Sequence, residues 1–218
     1  RQSVCIELAR RVTNRLSADG PSAGWLPFSL FGWQGYLGSI ARKITRKSPC
    51  SVLLLIKPSV EMVAKKHIVV NAFKSSQTID TISSAFEYAD KLKIPKITLV
   101  DEINQSEINV NVDDDISLKK ATKKREEVTK KEELRISEIM KSIPSLLLKN
   151  KQVNSQSIFG TRGYSIGHYA RVARADLLVI NSEEKRMSLW SKLFPKDLEY
   201  ILSEIPTDVL IVKMKKND

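Results

Sequence analysis

No apolar run in this 218-residue chain approaches the ~20 residues a membrane-spanning helix needs, and Ser51 to Ile56 is only of strand length. Cysteine is scarce. Cys5 and Cys50 lie far apart with no second thiol near either, so zinc spacing is missing; the pair reads as buried, reduced thiols of a cytosolic protein rather than as a bridge. Histidine is just as rare: His67, at a strand start, and His168, in a helix, are solitary and read as structural, not catalytic. Ser39 and Ser165 have no histidine and acid at suggestive spacing, so a hydrolase triad finds no support. No signal-peptide pattern is visible, and Arg1 in place of Met leads us to expect a piece of a longer polypeptide.

What is present is ordinary for a soluble globular protein, with 42% hydrophobic and 28% charged residues, enough for one large domain or two modest ones. The formal charge of +11 invites a nucleic-acid reading. Its distribution argues otherwise. Eight basic residues between Lys119 and Arg135 are interleaved with Glu126, Glu127, Glu132 and Glu133, the spacing of a solvated helix with i,i+4 pairs. No aromatic residue interrupts this run to stack on bases. An exposed helix is expected, with an anionic membrane surface as a further partner class. Asp113, Asp114 and Asp115, just before it, read as helix caps; a metal site is the sharper alternative.

From residue 66 onward, strand and helix patterns alternate. Strands are expected over His67 to Ala72, Lys96 to Val100, Gln152 to Phe159, Asp176 to Ile180 and Asp208 to Lys213. Helices are expected over Ser75 to Leu92, through the long basic segment to a face of Ile136, Ile139, Met140 and Ile143, and over Tyr164 to Arg174 and Pro195 to Glu204. Strands joined by helical crossovers imply an α/β fold with a doubly wound parallel sheet, whose ligands bind where strand order reverses. At an offset of 157, Pro49 falls on Pro206 and Val52 to Leu55 fall on Val209 to Val212. Residues 1–60 thus read as the C-terminal part of a first copy, and 66–218 as a second, complete copy. The offset also sets Gly20-Pro21-Ser22-Ala23 against the strand Leu177 to Ile180; residues missing after Asp19 explain this better than a lost strand.

Gly35 to Ala41 open a helix that ends before Ser48-Pro49-Cys50, and backbone amides at such a start can face an anion. Trp25, Phe28, Phe31 and Trp33 lie in the preceding loop as an apolar patch, either an interface or buried against its own domain.

On Gly38-Ser39-Ile40-Ala41, Ser48-Pro49-Cys50-Ser51-Val52-Leu53-Leu54 and Arg174 to Ile180, the chain resembles the universal stress protein superfamily. The resemblance implies a five-stranded parallel sheet of order 3-2-1-4-5, frequent self-association through the last strand at the sheet edge, and in some members adenine-nucleotide binding. Gly38 and Ser39 match the closing pair of the family's phosphate loop, with Gly35 near it, so ATP or AMP binding in the first unit is one implied activity. In the second unit Asn181 and Glu184 replace loop glycines, Pro195 and Lys196 replace the closing pair, and Phe73 stands where the first strand should end in aspartate. The resulting expectation is a non-catalytic regulatory module in the cytoplasm, in one version the cytoplasmic domain of a membrane transporter. The alternative is a free-standing stress protein that binds or slowly hydrolyses ATP; nucleic-acid binding rests on charge alone.

Overall fold

The computed structural model of the chain describes residues 45, 48, 50–56, 63–108, 114–181, 201 and 207–213. Gly35, Gly38, Ser39, the aromatic loop, the Asp19 to Gly20 junction and all of the Pro195 to Glu204 helix but Ile201 lie outside them. Among the described residues six strands form one sheet: β1 (Val52–Leu54), β2 (His67–Asn71), β3 (Lys96–Asn104), β4 (Gln152–Gly160), β5 (Leu177–Asn181) and β6 (Asp208–Val212). Their spatial order is β1-β6-β5-β2-β3-β4. All neighbours from β4 across to β6 run parallel.

The short β-branched and leucine runs form strands because both of their faces are covered. On one face Ile68, Val70, Leu99, Leu177, Val179 and Leu210 pack against Ile82, Phe86 and Ala89 of α1 (Thr78–Lys91) and Ile136 of α2 (Asp115–Ser142). On the other, Val69, Val100, Leu178, Ile180 and Val209 meet Ile166 and Ala170 of α4 (Tyr164–Val172), with Ile201 beside them. The short α3 (Ser145–Leu148) links α2 to β4 and was not expected. Among the described residues no helix is long and apolar enough to cross a membrane.

Two expectations change. To the expected five strands, which stand in the implied order, the described residues add a sixth, and the sheet is not wholly parallel, because β1 pairs antiparallel with β6: Val52 with Ile211, Leu53 with Leu210, Leu54 with Val209. Leu53 and Leu210 are equivalent under the offset of 157, so the register is symmetric about that pair. The flanking hydrogen bonds obey the same symmetry. Ile56 N donates to Asp208 Oδ1 at 2.9 Å, and Lys213 N donates to Ser51 Oγ at 3.1 Å; Ser51 answers to Asp208, and Ile56 to Lys213.

The second change is that β3 runs on from Val100 to Asn104, paired residue by residue with Ser157 to Gly160 of β4. Asp101 and Glu102 look like a strand end, yet they are only 4% and 2% exposed. Each carboxylate has a distant partner that makes its burial tolerable.

Candidate functional site at the strand ends

In a doubly wound sheet the crevice lies beyond the carboxyl ends of the two strands where the order reverses, here β2 and β5. β2 ends at Asn71, and its carboxamide Oδ1 accepts from Phe73 N at 2.9 Å, which turns the chain out of the sheet. Thr78 Oγ1, in the first turn of α1, accepts from Ser75 N at 2.9 Å and holds this loop against the helix. Across the crevice, Asn181 ends β5 and its Nδ2 donates to Ser75 Oγ at 2.8 Å. The two strand ends are thereby tied together by the chain's own side chains. Phe73 is covered as well: the Arg162 guanidinium carbon lies 3.4 Å from its ring centroid, a cation–π contact. Gln77, at the start of α1, keeps Oε1 buried without a hydrogen-bond partner, an acceptor that a donor group could satisfy.

Two carboxylates bracket this region. Glu102 accepts from Gly163 N and Ile166 N, both at 2.9 Å, so a buried side chain supplies the negative charge that the amino end of α4 favours. Gly163 sits at φ 80°, a conformation that glycine adopts without steric cost. Asp101 accepts from Arg135 at 2.9 Å, and the same guanidinium donates to Ala72 O at 2.8 Å and pairs with Glu132. Arg135 thus pins α2 to the ends of β2 and β3. Burial pushes the Asp101 carboxyl up to about 6, against the pull of Arg135.

Of the acidic triplet, Asp114 caps α2: its Oδ1 accepts from Ser117 N at 2.7 Å while the Ser117 hydroxyl accepts from Asp114 N, a reciprocal box. Backbone donation from Ser117 holds the Asp114 carboxyl below its ordinary range. Asp113 lies outside the described residues, and among those described no cluster of three metal-ligating side chains occurs.

His67 is held at the opposite end of the sheet. Its Nδ1 lies 3.2 Å from Ala173 O and its Nε2 2.8 Å from Thr98 Oγ1. A carbonyl only accepts, so Nδ1 carries the proton and Nε2 accepts from the threonine. Burial, and then Lys96, lower its pKa, which favours this neutral ring. Beside it an open groove of about 530 Å³ is lined by Thr98, Asn154, Gln156 and Tyr169. His168 is exposed, stacked on Tyr164 with centroids 6.4 Å apart.

Asp101, Glu102, Arg135 and Arg162 were not singled out from sequence. The available signal was two adjacent carboxylates ending an apolar run, which implies either a strand end or two compensated charges.

No family model matches the sequence, and no curated protein matches it. Solved structures do. A universal stress protein from Lactobacillus plantarum superposes with a TM-score of 0.51 at 12% identity, over 70% of this chain and 100% of that one. A protein from Pseudomonas aeruginosa described as a universal stress protein gives 0.55 at 16% identity, over 84% of this chain and 59% of that one. One from Archaeoglobus fulgidus gives 0.51 at 15% identity, over 84% and 56%. Identities this low speak for the fold alone, and the fold is that of the universal stress proteins.

Proposed function

We propose that the chain is a non-catalytic regulatory module of the universal stress type, made of a partial first unit and a complete second unit joined by their last strands. The observation that carries the regulatory reading is the closure of the second unit's crevice by its own residues. Asn181 binds Ser75 where the resembling loop begins with glycine, and Phe73 under Arg162 fills the place of the aspartate. A ligand entering there must break a hydrogen bond and displace the Arg162–Phe73 cation–π pair, so binding energy is spent before any new contact forms. Support for two units comes from the symmetric β1–β6 register about Leu53 and Leu210 and its matched flanking hydrogen bonds. The longer structural neighbours also align with 84% of this chain, against 70% for the shorter one. On this reading the β1–β6 pairing is the within-chain counterpart of the last-strand contact that the resemblance led us to expect between copies. A cytoplasmic setting, and attachment to a membrane transporter, are the finer form of the proposal.

The second reading is an ATP-binding or slowly hydrolysing stress protein using Gly35, Gly38 and Ser39 of the first unit, as the resemblance implies. Retention of ATP and Mg²⁺ together with phosphate release, measured on the full chain and on Gly38→Trp, separates the two. The regulatory reading expects both proteins to match the protein-free control. Retention or release by the parent protein that disappears in Gly38→Trp would establish the second reading instead.

A further inference from the structure

The long helix α2 carries an exposed basic face that nothing in the strand-end site uses. Ile116, Lys120, Lys123, Glu127, Lys130 and Leu134 follow at intervals of four, three, four, three and four, which places them in one line along the helix. Lys119, Lys124 and Lys131 flank that line, and every one of these positions is exposed. The line extends about 27 Å. Glu127 is the acid within it and the exposed Glu126 borders it, whereas Glu132 turns inward to Arg135. Ile116 and Leu134, at its two ends, are 63% and 60% exposed. The helix is fixed so that this face looks outward: Arg125 lies 4.2 Å over the Phe159 ring, and Arg135 is bonded to the strand ends.

We propose that this face docks on an anionic lipid surface. Lysine ammonium groups on flexible stems suit a diffuse negative plane, to which each contributes additively. Base and phosphate readout in nucleic acids draws instead on arginine forks and aromatic stacking. Here the cations of the face are all lysine; the one arginine of the helix's first half is engaged with Phe159. Ile116 and Leu134 can insert at the headgroup boundary beside the lysine stems. The inference does not depend on whether the strand-end crevice holds a ligand, nor on attachment to a transporter.

The test is co-sedimentation of the full chain with vesicles of phosphatidylcholine alone or with roughly one-third phosphatidylserine, at about 50 mM and about 300 mM salt. Binding is expected only to the serine-containing vesicles, and to fall at least ~10-fold at the higher salt. Gln at Lys119, Lys120, Lys123 and Lys124 together should lower the partition coefficient roughly 1000-fold at the lower salt, with an unchanged circular dichroism spectrum confirming the fold. Ile116→Ser with Leu134→Ser should weaken binding at both salt concentrations, since their contribution is not electrostatic. Three results would each overturn the proposal: equal sedimentation with neutral vesicles, no sedimentation with either, or an unaltered quadruple variant. Binding of a short DNA duplex in preference to the vesicles would also overturn it, and would assign the face to nucleic acid.

Discussion

Arg135→Ala is expected to cost about 3 kcal/mol of folding stability at pH 7.5, the lower end of the range for breaking a buried ion pair from one side. Its side chain is 19% exposed and that of Asp101 5%, so solvent screens the pair weakly. Removal leaves the Asp101 carboxyl and the Ala72 carbonyl without that donor and takes away one of the ties between α2 and the sheet. The penalty is capped because Asp101 already titrates at about 6, and without the guanidinium it can take up a proton instead. Asp101→Asn added to Arg135→Ala should therefore recover part of the loss, whereas Arg135→Lys, with a single point charge in place of a fork, should not restore both contacts. Urea unfolding of the four proteins is the measurement.

The same group sets a pH dependence. The folded pKa of Asp101 lies above its ordinary value of 3.8, so between about pH 4 and pH 6 the folded state binds the extra proton. Its contribution to stability is present in full below that window and is lost as pH rises through it, by roughly 3 kcal/mol for a shift of this size. In the Arg135→Ala protein the upper edge of the window should move to higher pH, while the lower edge, set by the unfolded chain, stays where it is.

Glu102→Ala is the second large effect expected, at about 3 kcal/mol. One buried carboxylate accepts from two backbone amides at the start of α4, and hydrogen bonds to a charged group are worth more than neutral ones. Alanine leaves Gly163 N and Ile166 N without that acceptor, in a place water reaches poorly, since Ile166 is fully buried. The loss should be local before it is global. Hydrogen exchange at Gly163 and Ile166 should accelerate by a larger factor than exchange in β5, while Glu102→Gln, which keeps one good acceptor, should lie between. Equal acceleration throughout the sheet would mean that Glu102 supports the fold as a whole rather than this helix start.

Much of the sheet was legible in sequence because its strands are buried on both faces and so appear as short, nearly continuous apolar runs: Ile68-Val69-Val70, Leu177 to Ile180 and Val209 to Val212. The amphipathic spacing of Ile82, Phe86 and Ala89 served equally well for α1. The misreading of β3 has the opposite cause. Asp101 and Glu102 carry charges that ordinarily end a strand, and the groups that neutralise them lie 34 residues away in α2 and 61 to 64 residues away at α4. The place of β1 could not be read either, since pairing across 157 residues leaves no trace in local pattern. At the crevice, the exchanges to Phe73 and Asn181 were visible by resemblance. Their partners Arg162 and Ser75 were not, because only the folded topology brings them within reach. The predicted cradle of Gly35, Gly38 and Ser39 lies outside the described residues.

Titration of ATP and Mg²⁺ into the full chain, followed residue by residue by amide resonances, tests the closed crevice most directly. The backbone amides of Asn71, Phe73 and Asn181 and the Asn181 side-chain amide should stay in place up to millimolar nucleotide. A saturable shift of those resonances, with the Asn181 to Ser75 hydrogen bond lost as the nucleotide enters, would contradict it.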